Sequence, residues 1–282
     1  MVAVGVGQRH CRFRGNVSFS RFRVTGVSFS KFHVTRADTV KVPRTSEVEV
    51  RYVQESGDPV ATTLAAADPC RMIQGLPVRK VRSHPRRRHY AGMFWSATNR
   101  AHVLYESRLE LDRLWLADYA PEVVRIAAQP MWLCGPDGND MRRHVPDLLL
   151  QRTDGGFTVV DVKPAEFARR DEVAQVFAWT ERVCASRGWS YEVWSGADPV
   201  VLANVRTIGA ARRVGWVASG SLSAMATTTA RVGMTLDEVS ASAKNPGGRL
   251  AVLAMLWSGI WSVDLLVPLS GQSVLTAVRN AP

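Results

Sequence analysis

The chain is short of everything that marks a secreted, membrane-spanning or thiol-metal protein. It has four cysteines in 282 residues, Cys11, Cys70, Cys134 and Cys184. They lie far apart, with neither a Cys-x-x-Cys pair nor a Cys–His grouping at metal spacing, which argues against a disulfide framework or a zinc site. Free thiols in a reducing, cytoplasmic compartment are expected instead. The six histidines show no ligand spacing either. The longest apolar run, residues 250–261, contains Ser258 and Gly259 and soon meets Asp264. It is too short and too interrupted for a bilayer, so no membrane partner is expected. Arg9, Arg12 and Arg14 are followed by no apolar stretch, so no signal peptide is expected.

Acidic residues are also scarce, but only locally. The formal charge is +11, and residues 1–90 hold 17 Lys/Arg against 6 Asp/Glu, while residues 91–282 hold 19 of each. An N-terminal third this basic favours nucleic acid or another anionic surface through counterion release. Within it, residues 16–25 and 26–35 are two copies of one ten-residue pattern with seven identities, too few copies for a solenoid. Residues 1–70 are expected to be a basic, disordered extension, with Met72 as an alternative start. The run Arg79-Lys-Val-Arg-Ser-His-Pro-Arg-Arg-Arg88 is followed by Tyr90, Phe94 and Trp95. Cations beside aromatics suit a backbone-tracking nucleic-acid contact, or a merely solvated charge run.

Beyond that run the periodicity alternates. Residues 105–118 predict a helix, with Leu109, Leu116 and Ala117 forming an apolar seam widened by Leu114. Glu106 and Glu110, four apart, would share one of its faces. A strand is expected over 122–133, broken at Pro130, then a turn at Gly135-Pro-Asp-Gly138. Residues 165–187 predict one long helix and 189–194 an alternating strand. This order predicts a mixed sheet flanked by helices, an α/β fold. After about residue 203 come a basic helix (205–216), a capped helix opening at Thr235-Leu-Asp-Glu238, an apolar helix (249–257) and a strand-like stretch (260–267). The last helix has one arginine, Arg249, and would read a major groove poorly.

The chemistry concentrates between these elements. His144-Val-Pro-Asp-Leu-Leu-Leu-Gln151 and Phe157-Thr-Val-Val-Asp-Val-Lys-Pro164 flank an Asp-Gly-Gly turn, so they predict a β-hairpin. Val159, Asp161 and Lys163 share one face of its second strand and Val160 and Val162 the other. Charges on so apolar a strand are costly to bury unless they act together. With thirteen residues between Asp147 and Asp161, the spacing is the PD-(D/E)xK pattern of metal-dependent nucleases; an ordinary hairpin with a surface Asp–Lys pair is the alternative.

Taken in order, Glu106-Ser-Arg-Leu-Glu-Leu111, Gln129-Pro130, His144-Val-Pro-Asp147 and Val160-Asp-Val-Lys-Pro164 resemble the TnsA-type endonuclease subunit of heteromeric transposases. The resemblance extends from about Val81 to the C-terminus. It implies a restriction-endonuclease-like domain over 71–203, followed by a winged-helix-like, α-rich domain over 204–282. It carries the catalytic glutamate to Glu110, with Glu106 second, and the aspartate to Asp147. The position before x-Lys, Gln in some members, falls on Asp161, and the lysine on Lys163. It further implies DNA as substrate, cutting at the 5′ transposon ends, and two partners: an integrase-type transposase subunit and a regulator ATPase.

Phosphodiester hydrolysis needs neutralised phosphate charge and a more acidic water, which Mg²⁺ (or Mn²⁺) supplies. Glu110, Asp147 and Asp161, with the Val162 carbonyl, are the expected ligands, being hard oxygen donors. Lys163, about 6.6–6.8 Å along the strand from Asp161, would stabilise developing charge. Competing readings are a stand-alone restriction- or resolvase-type nuclease, a non-catalytic DNA-binding assembly subunit, and a winged-helix regulator, which would need a more basic recognition helix.

Overall fold

In a computed structural model, the structure describes residues 42–79, 90–213, 230–242 and 248–279. The repeat over 16–35, most of the basic run over 79–88, residues 214–216 of the expected basic helix and the turn at 245–247 lie outside the described residues. Two four-stranded sheets form the main body. One is antiparallel, in the order β2 (Pro59–Thr63), β1 (Glu49–Val53), β6 (Trp132–Asp137), β7 (Asp140–His144). The other is mixed: β10 (Ser190–Trp194), β9 (Phe157–Val162), β8 (Leu148–Arg152), β5 (Val123–Ala128). Only β10 runs parallel to its neighbour β9.

The β8–β9 hairpin expected from sequence forms, with Leu148 opposite Val160 and Gln151 opposite Phe157. Asp154 accepts the Gly156 N–H at 2.9 Å and Gly155 takes φ +82°, so the Asp-Gly-Gly chemistry makes the turn. All of β9 is buried, because both faces of its sheet are covered. On one face Leu149 and Val159 join Val50, Tyr52 and Leu133 of the first sheet and Trp179 and Val183 of α4 (Asp171–Ser186). On the other, Leu148, Leu150 and Val160 meet Leu114 and Ala117 of α2 (Arg108–Tyr119) and Phe94 and Val103 of the separate hairpin β3 (Gly92–Ser96) and β4 (Ala101–Tyr105).

Four expectations are corrected. Residues 42–70 are not extension: they supply β1, β2 and the start of α1 (Pro69–Met72), whose Val50, Tyr52, Leu64 and Met72 are core residues. A chain begun at Met72 would lose two strands of that core. The helix expected from 105 begins at Arg108, because Tyr105 pairs with Gly92 in β4 and Ser107 caps the helix, its Oγ accepting the Glu110 N–H at 3.1 Å. Glu106 therefore precedes the helix and shares no helical face with Glu110. The helix expected over 165–187 is two, α3 (Ala165–Ala168) and α4, with Asp171 and Glu172 in the first turn of the second, where helix-dipole charge favours acids. The turn expected at 135–138 shifts to Gly138 and Asn139, since β6 runs on to Asp137, opposite Asp140.

The expected boundary at residue 203 falls inside α5 (Pro199–Ile208), capped by Asp198, which accepts the Val200 and Val201 N–H groups. This helix packs on α2 and on the C-terminal core. There α6 (Leu236–Ser242), α7 (Gly248–Trp257), β11 (Trp261–Val263) and β12 (Leu275–Val278) bury Val239, Leu253, Leu256 and Trp261. The Thr235–Glu238 capping box forms in both directions, at 2.8 and 3.2 Å.

Candidate active site

The site lies where β8 begins and β9 ends. Asp147 stands one residue before β8, and its Oδ2 accepts the Val162 N–H at 2.7 Å. Continuing the β8–β9 register two pairs past Leu148–Val160 sets Pro146 opposite Val162. Proline has no N–H to offer a strand partner. The Asp147 side chain thus takes over the ladder bond, and the Val162 carbonyl, on the same edge of the strand as its N–H, is left with no proline donor. On the other side, the Asp147 carbonyl accepts the Gln129 N–H at 2.8 Å. Gln129 carries the chain from one sheet to the other. It takes a left-handed backbone (φ +46°), is 2% exposed, and its side-chain Oε1 has no hydrogen-bond partner. Such a combination of strain and an unsatisfied buried polar atom concentrates at functional sites.

Asp161 is 2% exposed. His144 Nε2 lies 2.8 Å from both carboxylate oxygens, and the Tyr191 hydroxyl donates to Oδ2 at 2.5 Å. The His144 ring stands edge-on to Phe177. Burial, then the charge of Asp161, pushes the Tyr191 phenol well above its ordinary range. Asp147 is pushed up to about 7, first by burial and then by the charges of Asp161 and Glu110. Glu110 also titrates higher than usual, mainly from burial, with Lys163 among the groups that pull it back. Its Oε2 accepts the Glu106 N–H at 2.9 Å and its Oε1 the Ser107 hydroxyl at 3.0 Å. Lys163, half-buried just past β9, donates its N–H to the Trp194 carbonyl at 3.0 Å. Arg113, on α2 three residues past Glu110, forms a two-point bridge with Glu192 at 2.9 and 3.1 Å.

The structure therefore brings Asp147, Asp161, Val162, Glu110 and Lys163 to one end of the sheet. Sequence reasoning missed Tyr191, which nothing local in β10 announces, and the Ser107-x-x-Glu110 cap, which the Ser-x-x-Glu spacing does announce. As tests of a divalent cation, two observations pull against each other. The donors are carboxylate oxygens whose charges raise one another's proton affinity, the condition a cation relieves. Yet among the described residues no three His, Cys, Asp or Glu side chains stand close enough to enclose an ion. Mg²⁺ needs only one or two carboxylates beside water and phosphate oxygens, so the donor set fits it in chemistry.

Residues 120–196 match the family model described as TnsA-like endonuclease N terminal. The matched domain is TnsA-like. The match spans Asp147, Asp161 and Lys163 and stops short of Glu110, which sits on α2 upstream of it. None of the curated proteins compared with the chain matches it. Among the described residues, no helix of the chain is long and apolar enough to cross a membrane.

Proposed function

We propose that the chain is the metal-dependent endonuclease subunit of a heteromeric transposase, hydrolysing one strand, the 5′ ends, at transposon ends. The observation that carries this reading is that Asp147 feels the charges of Asp161 and Glu110, and Glu110 that of Lys163, within a region that includes the match to the TnsA-like endonuclease model. Glu110, Asp147 and Asp161, with the Val162 carbonyl, would hold Mg²⁺ or Mn²⁺, which supplies phosphate neutralisation and a more acidic water. His144 and Tyr191 fix the Asp161 carboxylate, and the Val162 N–H fixes Asp147, so neither acid needs to reorganise as charge develops. Lys163 would stabilise negative charge on the phosphate through its ammonium, a role supported by its pull on the Glu110 charge. Its partners in this reading are transposon-end DNA, an integrase-type transposase subunit and a regulator ATPase. The helix, helix and two-stranded ribbon order of the C-terminal part (α6, α7, β11, β12) supports a winged-helix-like unit facing protein more than bases, since α7 buries residues 251–256.

The decisive experiment measures strand-specific cleavage of transposon-end DNA in Mg²⁺ or Mn²⁺, with the genetically neighbouring transposase and ATPase and then without them. Metal-dependent 5′ cuts that need the partners and vanish in Lys163→Ala and Asp147→Ala are expected. Cutting by the chain alone would make it a stand-alone nuclease. The existing protein donors on Asp161 and Glu110 favour, as a second reading, an assembly subunit without catalysis; both variants would then support transposition as wild type does.

A further inference from the structure

The β3–β4 hairpin belongs to neither large sheet and has one buried and one partly exposed face. Inward, Phe94 and Val103 are buried, and Phe94 meets Trp115 edge-on at 5.0 Å. Outward, Met93 pairs across the strands with Leu104 and Trp95 with His102. Met93 is 59% exposed and the preceding Tyr90 63%. Apolar and aromatic surface gathered like this on a soluble domain marks a contact.

Arginines gather on its rings and turn. Arg108 lies over the Tyr90 ring at 4.3 Å and Arg213 over Trp95 at 5.1 Å, with Arg100 exposed at the turn. Glu106 is the one acid in the sequence from Tyr90 to Ser107. The ribbon is also held rigid. Asp118 of α2 accepts the Ser96 hydroxyl and the Ala97 and Thr98 N–H groups, and Asn99 exchanges two bonds with Ile126. Its open end leads through Glu106 and Ser107 directly to Glu110. From Tyr90 to Trp95 the platform extends about 17 Å, on the order of five base pairs of duplex axis.

We infer that this outer face, with Tyr90, Met93, Trp95, His102, Arg108 and Arg213, carries the DNA strand that flanks the scissile phosphate. The inference deepens the endonuclease reading and rests on it for the choice of DNA as occupant. A guanidinium over a ring, as Arg108 is over Tyr90, can turn its edge to a phosphate oxygen, and the rings offer faces to sugars and bases.

The test uses the full chain and a fluorescent 30-base-pair transposon-end duplex in EDTA, so that binding is read without cutting. Tyr90→Ser, Met93→Ser and Arg108→Ala together should weaken binding about tenfold and lower the salt slope by roughly one phosphate contact. Met93→Glu should weaken binding and Met93→Lys strengthen it, a reversal of sign that misfolding would not produce. Glu55→Gln, in the exposed turn between β1 and β2 and outside both platform and active site, should leave affinity near wild type. Wild-type affinity and salt slope in the triple variant would overturn the inference. So would unchanged DNA binding with lost association to the transposase or ATPase, which would make the face a protein dock. Absence of cleavage by the wild type would strike the endonuclease reading alone, because the binding comparison is independent of it.

Discussion

Two buried aspartates at opposite ends of the nuclease part are held in different ways. Asp118, at the end of α2, is 5% exposed and accepts two backbone N–H groups and one hydroxyl from a single turn. Those donors are uncharged, local and fixed by the chain. Asp161, 2% exposed, is held instead by His144 and Tyr191, side chains reaching from β7 and β10. The first arrangement fastens a hairpin, while the second orients a carboxylate between side chains of two different strands.

The comparison is broken most directly by deleting each acid. Asp118→Ala strands one hydroxyl and two backbone donors, so it should cost on the order of 3–5 kcal/mol of stability. Thermal unfolding should then shift down by roughly 10 °C, and any lost activity should track lost folded protein. Asp161→Ala should do the reverse, with cleavage falling about 10²-fold or more while most of the melting temperature is retained. Lys163→Ala should match it in single-turnover cleavage with even less change in melting.

A smaller effect concerns Asp147. Its proton affinity rises from the ordinary 3.8 to about 7 on folding, so the folded chain binds the extra proton between those values. Stability should therefore fall as pH rises from about 4 toward 7. Asp147→Asn, which keeps an acceptor for the Val162 N–H, should flatten that slope and stabilise the chain by about 1 kcal/mol at pH 8. Melting curves with and without Mg²⁺ should show the ion raising the wild-type midpoint at pH 8 and not that of the variant. Smallest of all, Tyr191→Phe removes one bond to Asp161 and should cost about 1 kcal/mol or less, with a larger change in cleavage than in melting.

Much of this site was legible because its main parts lie within one hairpin. Alternation along residues 157–162 gives the face of Asp161, and Pro146-Asp147 marks the strand start, so proximity follows from register alone. The β1–β2 strands were missed because a basic composition upstream masked a short alternating stretch, Glu49-Val-Arg-Tyr-Val53, whose burial depends on β6 more than eighty residues away. The helix start was misplaced by reading Tyr105 into the helical period, although the Ser107 cap was there to be read. Tyr191 owes its place to parallel pairing, which leaves no local pattern, and Gln129 to a sheet-to-sheet crossing that the sequence marks only as a strand break at Pro130.

The α5 helix has a consequence for how the chain can be divided. Asn204, midway along it, bonds the backbone of Leu265, Val267 and Leu269, while Arg206 pairs with Asp112 of α2. At its end, a Cβ on Gly209 would lie 2.4 Å from the Trp115 ring, and Tyr119 and Trp257 stack across the same seam. The two parts are thus yoked, not strung on a tether. An exchange of C-terminal parts between relatives succeeds only if the matching surface of α2, and with it the helix bearing Glu110, travels too.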